Sequence, residues 1–198
     1  MLSNRLAKHF AAAAAASVVA GAANAAIVQW SNANLVIPAT IDGLYINVET
    51  RVTGSAGSVV AGWDINPYSA TSLTWFNATC TGMMRYPGVT AGSAGNLAGG
   101  TVVGATGSYG SGAVTVGAAA GNWVLNSVNT FGFRFTAADG LTHYGYGFVQ
   151  VGAAITTRTI TDLFYEDVAN TSITVAAVPA PGALALLGLA GFASRRRR

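Results

Sequence analysis

Phe131-Gly132-Phe133-Arg134-Phe135, then Ala138-Asp139-Gly140, then His143-Tyr144-Gly145-Tyr146-Gly147-Phe148-Val149: the reading of this stretch decides the fold. The three phenylalanines fall on every second residue, with Gly132 and Arg134 between them. Side chains of a strand alternate between two faces, so the spacing predicts a half-buried strand with one aromatic face. Asp139-Gly140 is a strong hairpin signal, because the turn needs residues that accept positive φ. The chain is then expected to return as a strand over 141–151. On it, Tyr144, Tyr146 and Phe148 share one face, and His143, Gly145, Gly147 and Val149 share the other.

Working outward, a further strand is expected over 155–167, where β-branched threonines and isoleucines mix with Phe164 and Tyr165, and a short one over 172–175. Upstream, Leu44-Tyr45-Ile46-Asn47-Val48, Val59-Val60-Ala61-Gly62-Trp63, Leu73-Thr74-Trp75-Phe76 and Ala113-Val114-Thr115-Val116 each suit a strand. The glycine-rich middle, 89–112, reads either as a loop over one face or as a set of weak strands. No stretch between 26 and 178 carries a sustained helical stripe. Ten to twelve short strands point to an all-β fold: a single antiparallel β-sandwich, jelly-roll-like, with an up-and-down barrel as the alternative. About 150 residues suffice for one domain with a core.

Both ends read differently. Arg5 and Lys8 precede an apolar run over 10–20, and Ala23-Asn24-Ala25 supplies small residues at the cleavage positions. This is the layout of a signal helix removed on export, with a mature chain expected to start at Ala26. At the other end Pro179-Ala180-Pro181-Gly182 leads into an apolar run over 183–193, Ser194, and Arg195, Arg196, Arg197 and Arg198. Residues 182–194 would extend roughly 20 Å as a hydrophobic helix at about 1.5 Å per residue, short of a bilayer core roughly 30 Å thick. The terminal arginines would be held on the cytoplasmic side. Residues 178–198 resemble the PEP-CTERM sorting signal of bacterial surface proteins, with Ala180 where that family usually carries an acid. The resemblance implies transient membrane insertion and handling by an exosortase at Pro179, Pro181 and Gly182, with the four arginines as the retention signal. The other reading of this end is a membrane anchor that is kept. The domain plan is therefore 1–25, 26–177 and 178–198. More loosely, the Phe131–Phe135 run, His143-Tyr144-Gly145-Tyr146-Gly147 and Phe164-Tyr165-Glu166-Asp167 resemble a group of PEP-CTERM secreted proteins, which often carry Trp at the position of Tyr146. That likeness implies an exported β-domain, without a defined chemistry.

The whole chain is +3, but all seven acids lie between 26 and 178 beside only four arginines, which leaves the body at −3. Displacing counterions from phosphates requires a cationic face, so nucleic acid is excluded as a partner. Cys80 is the only cysteine and closes no intrachain disulfide. His143 is the only histidine left after signal removal, too few for the usual zinc sites. It is expected on a strand, with its ring facing solvent or a loop. Glu166 and Asp167 are adjacent and should point to opposite faces, so a glycoside hydrolase would need Glu166 joined by an acid from elsewhere, such as Asp64 or Asp162. No catalytic residue and no cofactor is assigned.

The most suggestive cluster is Trp63, Asp64 and Asn66. The two oxygen-bearing side chains either join backbone carbonyls around a cation or form an Asx-type turn before Pro67. Trp30, Trp63, Trp75 and Trp123 either fill the core or offer platforms for sugar rings. Asn77-Ala78-Thr79 and Asn170-Thr171-Ser172 match the glycosylation acceptor pattern. The sequence thus predicts a surface or matrix protein with a structural or adhesive role, met transiently by signal peptidase and exosortase and facing exopolysaccharide. A carbohydrate-binding module and a secreted glycan hydrolase are the alternatives.

Overall fold

The structure, a computed structural model, describes residues 25–76, 82–90 and 92–177. The expected signal helix before Ala25, the sorting segment 178–198, Cys80 and the Asn77-Ala78-Thr79 acceptor lie outside the described residues. The described part is built of β-strands, with one 3-10 turn at Gly57–Val59. No described helix is long and apolar enough to cross a membrane.

The first strands are β1 (Ile27–Trp30), β2 (Leu35–Val36), β3 (Tyr45–Ile46), β4 (Thr53–Gly54), β5 (Pro67–Tyr68) and β6 (Thr74–Trp75). The middle holds β7 (Gly82–Met84), β8 (Val102–Val103), β9 (Tyr109–Gly110) and β10 (Gly112–Ala113). Three long strands follow, β11 (Ser127–Thr136), β12 (Thr142–Val151) and β13 (Arg158–Glu166), and β14 (Ile173–Thr174) closes the series. Every strand pairing is antiparallel. The main sheet has seven strands in the order β1-β13-β12-β11-β7-β9, with β2 also on β13. Small sheets β10-β6-β5, β14-β8 and β3-β4 pack around it.

The β11–β12 hairpin carries the predicted alternation. Phe131 faces Gly147 and Phe133 faces Gly145 across the ladder. The glycines let each ring lie over the neighbouring strand: a Cβ on Gly147 would stand 2.7 Å from Phe131 and 2.8 Å from Leu163 of β13. Phe131, Phe133 and Phe135 form a row with ring centroids 5.8 and 5.9 Å apart, each fully buried. Trp75, Trp123, Ile46, Val48 and Ile65 close over this face.

The other face is not open, as a half-buried strand implies. Tyr144, Tyr146 and Phe148 are buried there with Met84, Leu97, Val103, Ile173 and Val175. The glycine-rich middle and the last strand cover that face, β8 pairing with β14. Both possibilities left open for the middle are therefore realised, short strands within a covering segment. The segment 59–63, expected as a strand, instead leaves the 3-10 turn and bends at Gly62, whose φ is +61°.

In β13 the pairing slips between Phe148 and Val149, which face Asp162 and Ile160 and leave Thr161 without a partner on β12. This bulge lets Ile160 and Leu163, of opposite parity, both enter the phenylalanine core.

Candidate functional site

The predicted cluster lies on a segment that runs beside residues 42–48. Asp64 N–H donates to Ile46 O at 2.8 Å, and Ile46 N–H donates to Ile65 O at 3.0 Å. Side chains extend this pairing. Asp64 Oδ2 accepts the Val48 N–H at 2.6 Å, and Asn66 Nδ2 donates to Asp42 O at 2.9 Å and Leu44 O at 3.0 Å. Asn47 works in the other direction, donating to Ala61 O and Gly62 O. Asp64 and Asn66 are buried. Their side chains therefore staple two non-local segments together; neither forms the local Asx turn. Among the described residues, no three His, Cys, Asp or Glu side chains gather as a metal site.

Burial of Asp64 has an electrostatic consequence. Desolvation pushes its pKa up from 3.8 to about 7, with the Glu49 charge adding to the rise and the Val48 N–H opposing it. Glu49 caps the main hairpin, its Oε2 accepting the Ala138 N–H at 2.8 Å. Between these two elements lies a cavity of about 320 Å³ lined by Asn47, Glu49, Thr136 and Ala138 among others.

His143 stands next to the same hairpin. It is buried against Phe135, ring centroids 5.7 Å apart, and its imidazole does not face solvent. The loop half of its expected setting is met: Nε2 lies 3.2 Å from Asp139 Oδ2 in the turn, while Nδ1 lies 2.8 Å from Glu166 O. Burial opposes its protonation, but the Glu166 carbonyl and the Asp139 carboxylate outweigh that, and its pKa is raised. Burial, then the charges of Glu49 and Asp167, raises the Tyr165 phenol. Shifted acids gather at functional sites and in structural networks alike. Here the hydrogen bonds of Asp64, Glu49 and Asn66 run to this chain's own backbone.

Glu166 and Asp167 differ in exposure: Glu166 is buried and accepts the Val168 N–H at 3.3 Å, while Asp167 is exposed. Asp162 accepts the Asn32 N–H at 3.2 Å. The tryptophans divide. Trp75 and Trp123 are fully buried, with ring centroids 6.4 Å apart, and Trp123 Nε1 donates to Ala94 O. Trp30 and Trp63 stay partly exposed. Trp63 sits between Tyr45 at 5.1 Å and Phe76 at 5.5 Å, both edge to face, and Phe76 is 45% exposed. This aromatic trio lies partly exposed beside Asp64 and Asn66.

Sequence reasoning counted Arg158 only as a charge. It is buried at 2% exposure and fans its guanidinium onto the carbonyls of Ser72, Ser69 and Pro38, clamping two loops to β13. Burial lowers its pKa to about 10. Its parity with inward-facing Ile160 was the available signal. No family model, curated protein or solved structure matches the chain.

Proposed function

We propose that this is an exported bacterial surface or extracellular-matrix protein, trimmed by signal peptidase and an exosortase-type system. Its β-body acts structurally or adhesively, by contact and without turnover. One observation carries the reading. The described strands run from β1 at Ile27 to β14, which ends at Thr174, so cuts after Ala25 and near Pro181 leave every described strand in place. The two addresses can be lost and the cargo keeps its sheet. In finer architecture the body is a sandwich of jelly-roll kind. The small sheets laid over the phenylalanine face support the layering. The return of β1 and β2 to pair with β13, across most of the chain, supports the connectivity.

A second reading is favoured by the Tyr45–Trp63–Phe76 surface: contact with exopolysaccharide through aromatic stacking on sugar rings. Fractionation of the producing cell tests the main reading. Recovery at the outer surface or in the matrix supports it, and recovery in the cytosol with Met1 attached refutes it. Affinity electrophoresis in the cell's own polysaccharide tests the second. Retardation that Trp63→Ala abolishes supports sugar contact, and identical mobility with and without polysaccharide removes it.

A further inference from the structure

The expected cut at Ala25–Ala26 falls on an atom the fold already holds. Ala26 N donates to Asp167 Oδ1 at 2.8 Å, and Asp167 N donates back to Ala26 O at 3.1 Å. The two residues continue the β1–β13 ladder by one step beyond Ile27 and Glu166. We propose that signal removal turns this amide-to-carboxylate hydrogen bond into an ion pair, the new α-ammonium of Ala26 docking on the Asp167 carboxylate. The proposal rests on the reading of residues 1–25 as a removed signal.

The chemistry is simple hydrolysis. Water adds across the amide; Ala25 leaves with a carboxylate, and the Ala26 nitrogen gains the hydrogen and then a proton. One donor becomes three, and a full positive charge stands where a peptide dipole stood. The nitrogen need not move. Ala26 belongs to the start of an edge strand, and a charge fixed there also disfavours pairing with a second chain.

The surrounding charges are few. Glu166 lies beside Asp167 on β13 and is engaged by Val168 N–H. His143, on β12, meets the Glu166 carbonyl. Arg51 donates to Gln29 O and sits 6.0 Å from the Trp30 ring, along β1. Asp167 is thus the carboxylate placed on the Ala26 nitrogen.

Processing also makes the site readable. Lys8 is the only lysine of the chain, so the exported protein carries a single primary amine, its own terminus. The test is to isolate the exported protein, determine its first residue by mass, label the amine by reductive ¹³C-methylation and titrate it by NMR. The expected result is a start at Ala26 and an amine titrating roughly 0.5 unit or more above the ordinary 7.7–8.0. That rise should shrink in 1 M salt, where the Debye length is about 3 Å, and vanish in Asp167→Asn. Asp167→Glu, which keeps the charge, should retain part of it. A protein that starts at Ala26 but titrates normally, in both wild type and Asp167→Asn, overturns the pair and leaves signal removal standing. A first residue other than Ala26 overturns the pair, and a chain that keeps Met1 overturns signal removal as well.

Discussion

Replacing Asp64 by Asn keeps the oxygen that accepts the Val48 N–H and removes the charge that burial opposes. The native carboxyl titrates near 7 against 3.8 for the free side chain. The folded state therefore holds a proton that the unfolded state has released. The raised acid makes the fold more stable below this window and costs stability as pH rises toward 7. Between pH 5 and pH 7 two units are crossed, worth about 3 kcal/mol at about 1.4 kcal/mol per unit, with no further loss above. Asn titrates nowhere, so the variant escapes that loss. His143 loses its own contribution in the same direction, because its pKa is raised, but it does so in both proteins and cancels in the difference. Urea unfolding of the exported protein and the variant, followed by tryptophan fluorescence at pH 5 and pH 9, measures this. The stability of Asp64→Asn relative to wild type should rise by about 3 kcal/mol between the two. A difference that is the same at both pH values, or that moves the other way, refutes the view of Asp64 as a buried staple.

Three further outcomes are expected. Gly145→Ala places a Cβ into the Phe133 ring and 2.5 Å from Phe164 O, a backbone atom, and should cost about 2–3 kcal/mol; a loss under about 0.5 by urea unfolding contradicts the packing of rings over glycines. Arg158→Met leaves the carbonyls of Ser69, Ser72 and Pro38 without their donor and should destabilise by at least about 2 kcal/mol, while wild-type stability would mean that those loops are held otherwise. In His143→Gln the loss should be greatest below pH 6.5, where the wild-type imidazolium pairs with Asp139, and should fade as pH rises through the raised native pKa; a loss independent of pH removes the charge from that contact.

The β11–β12 hairpin was legible because its period-two pattern is local: aromatics on one parity, glycines and Arg134 on the other. The cover on the second face was not. Residues 94–103 and 172–177 are too small and scattered to announce a core, and they become one by docking on Tyr146 and Phe148. In β13 the bulge at Thr161 breaks the parity that pattern reading relies on. The cluster at Asp64 was found for its chemistry, but its hydrogen-bond partners were not, because both polar side chains reach residues 16 to 24 positions away. Spacing along the chain carries no information about such partners. Arg158 shows the same limit from the other side, since its acceptors lie 86 to 120 residues upstream.

The central claim is that the two ends are addresses and the acidic β-body is what remains at work. Intact-mass analysis of the protein recovered from the surface or matrix of the producing cell tests it most directly. The account predicts a chain that begins at Ala26 and has lost the segment after Pro181, including Arg195–Arg198. A surface-derived mass that still contains Met1 or Arg198 contradicts it.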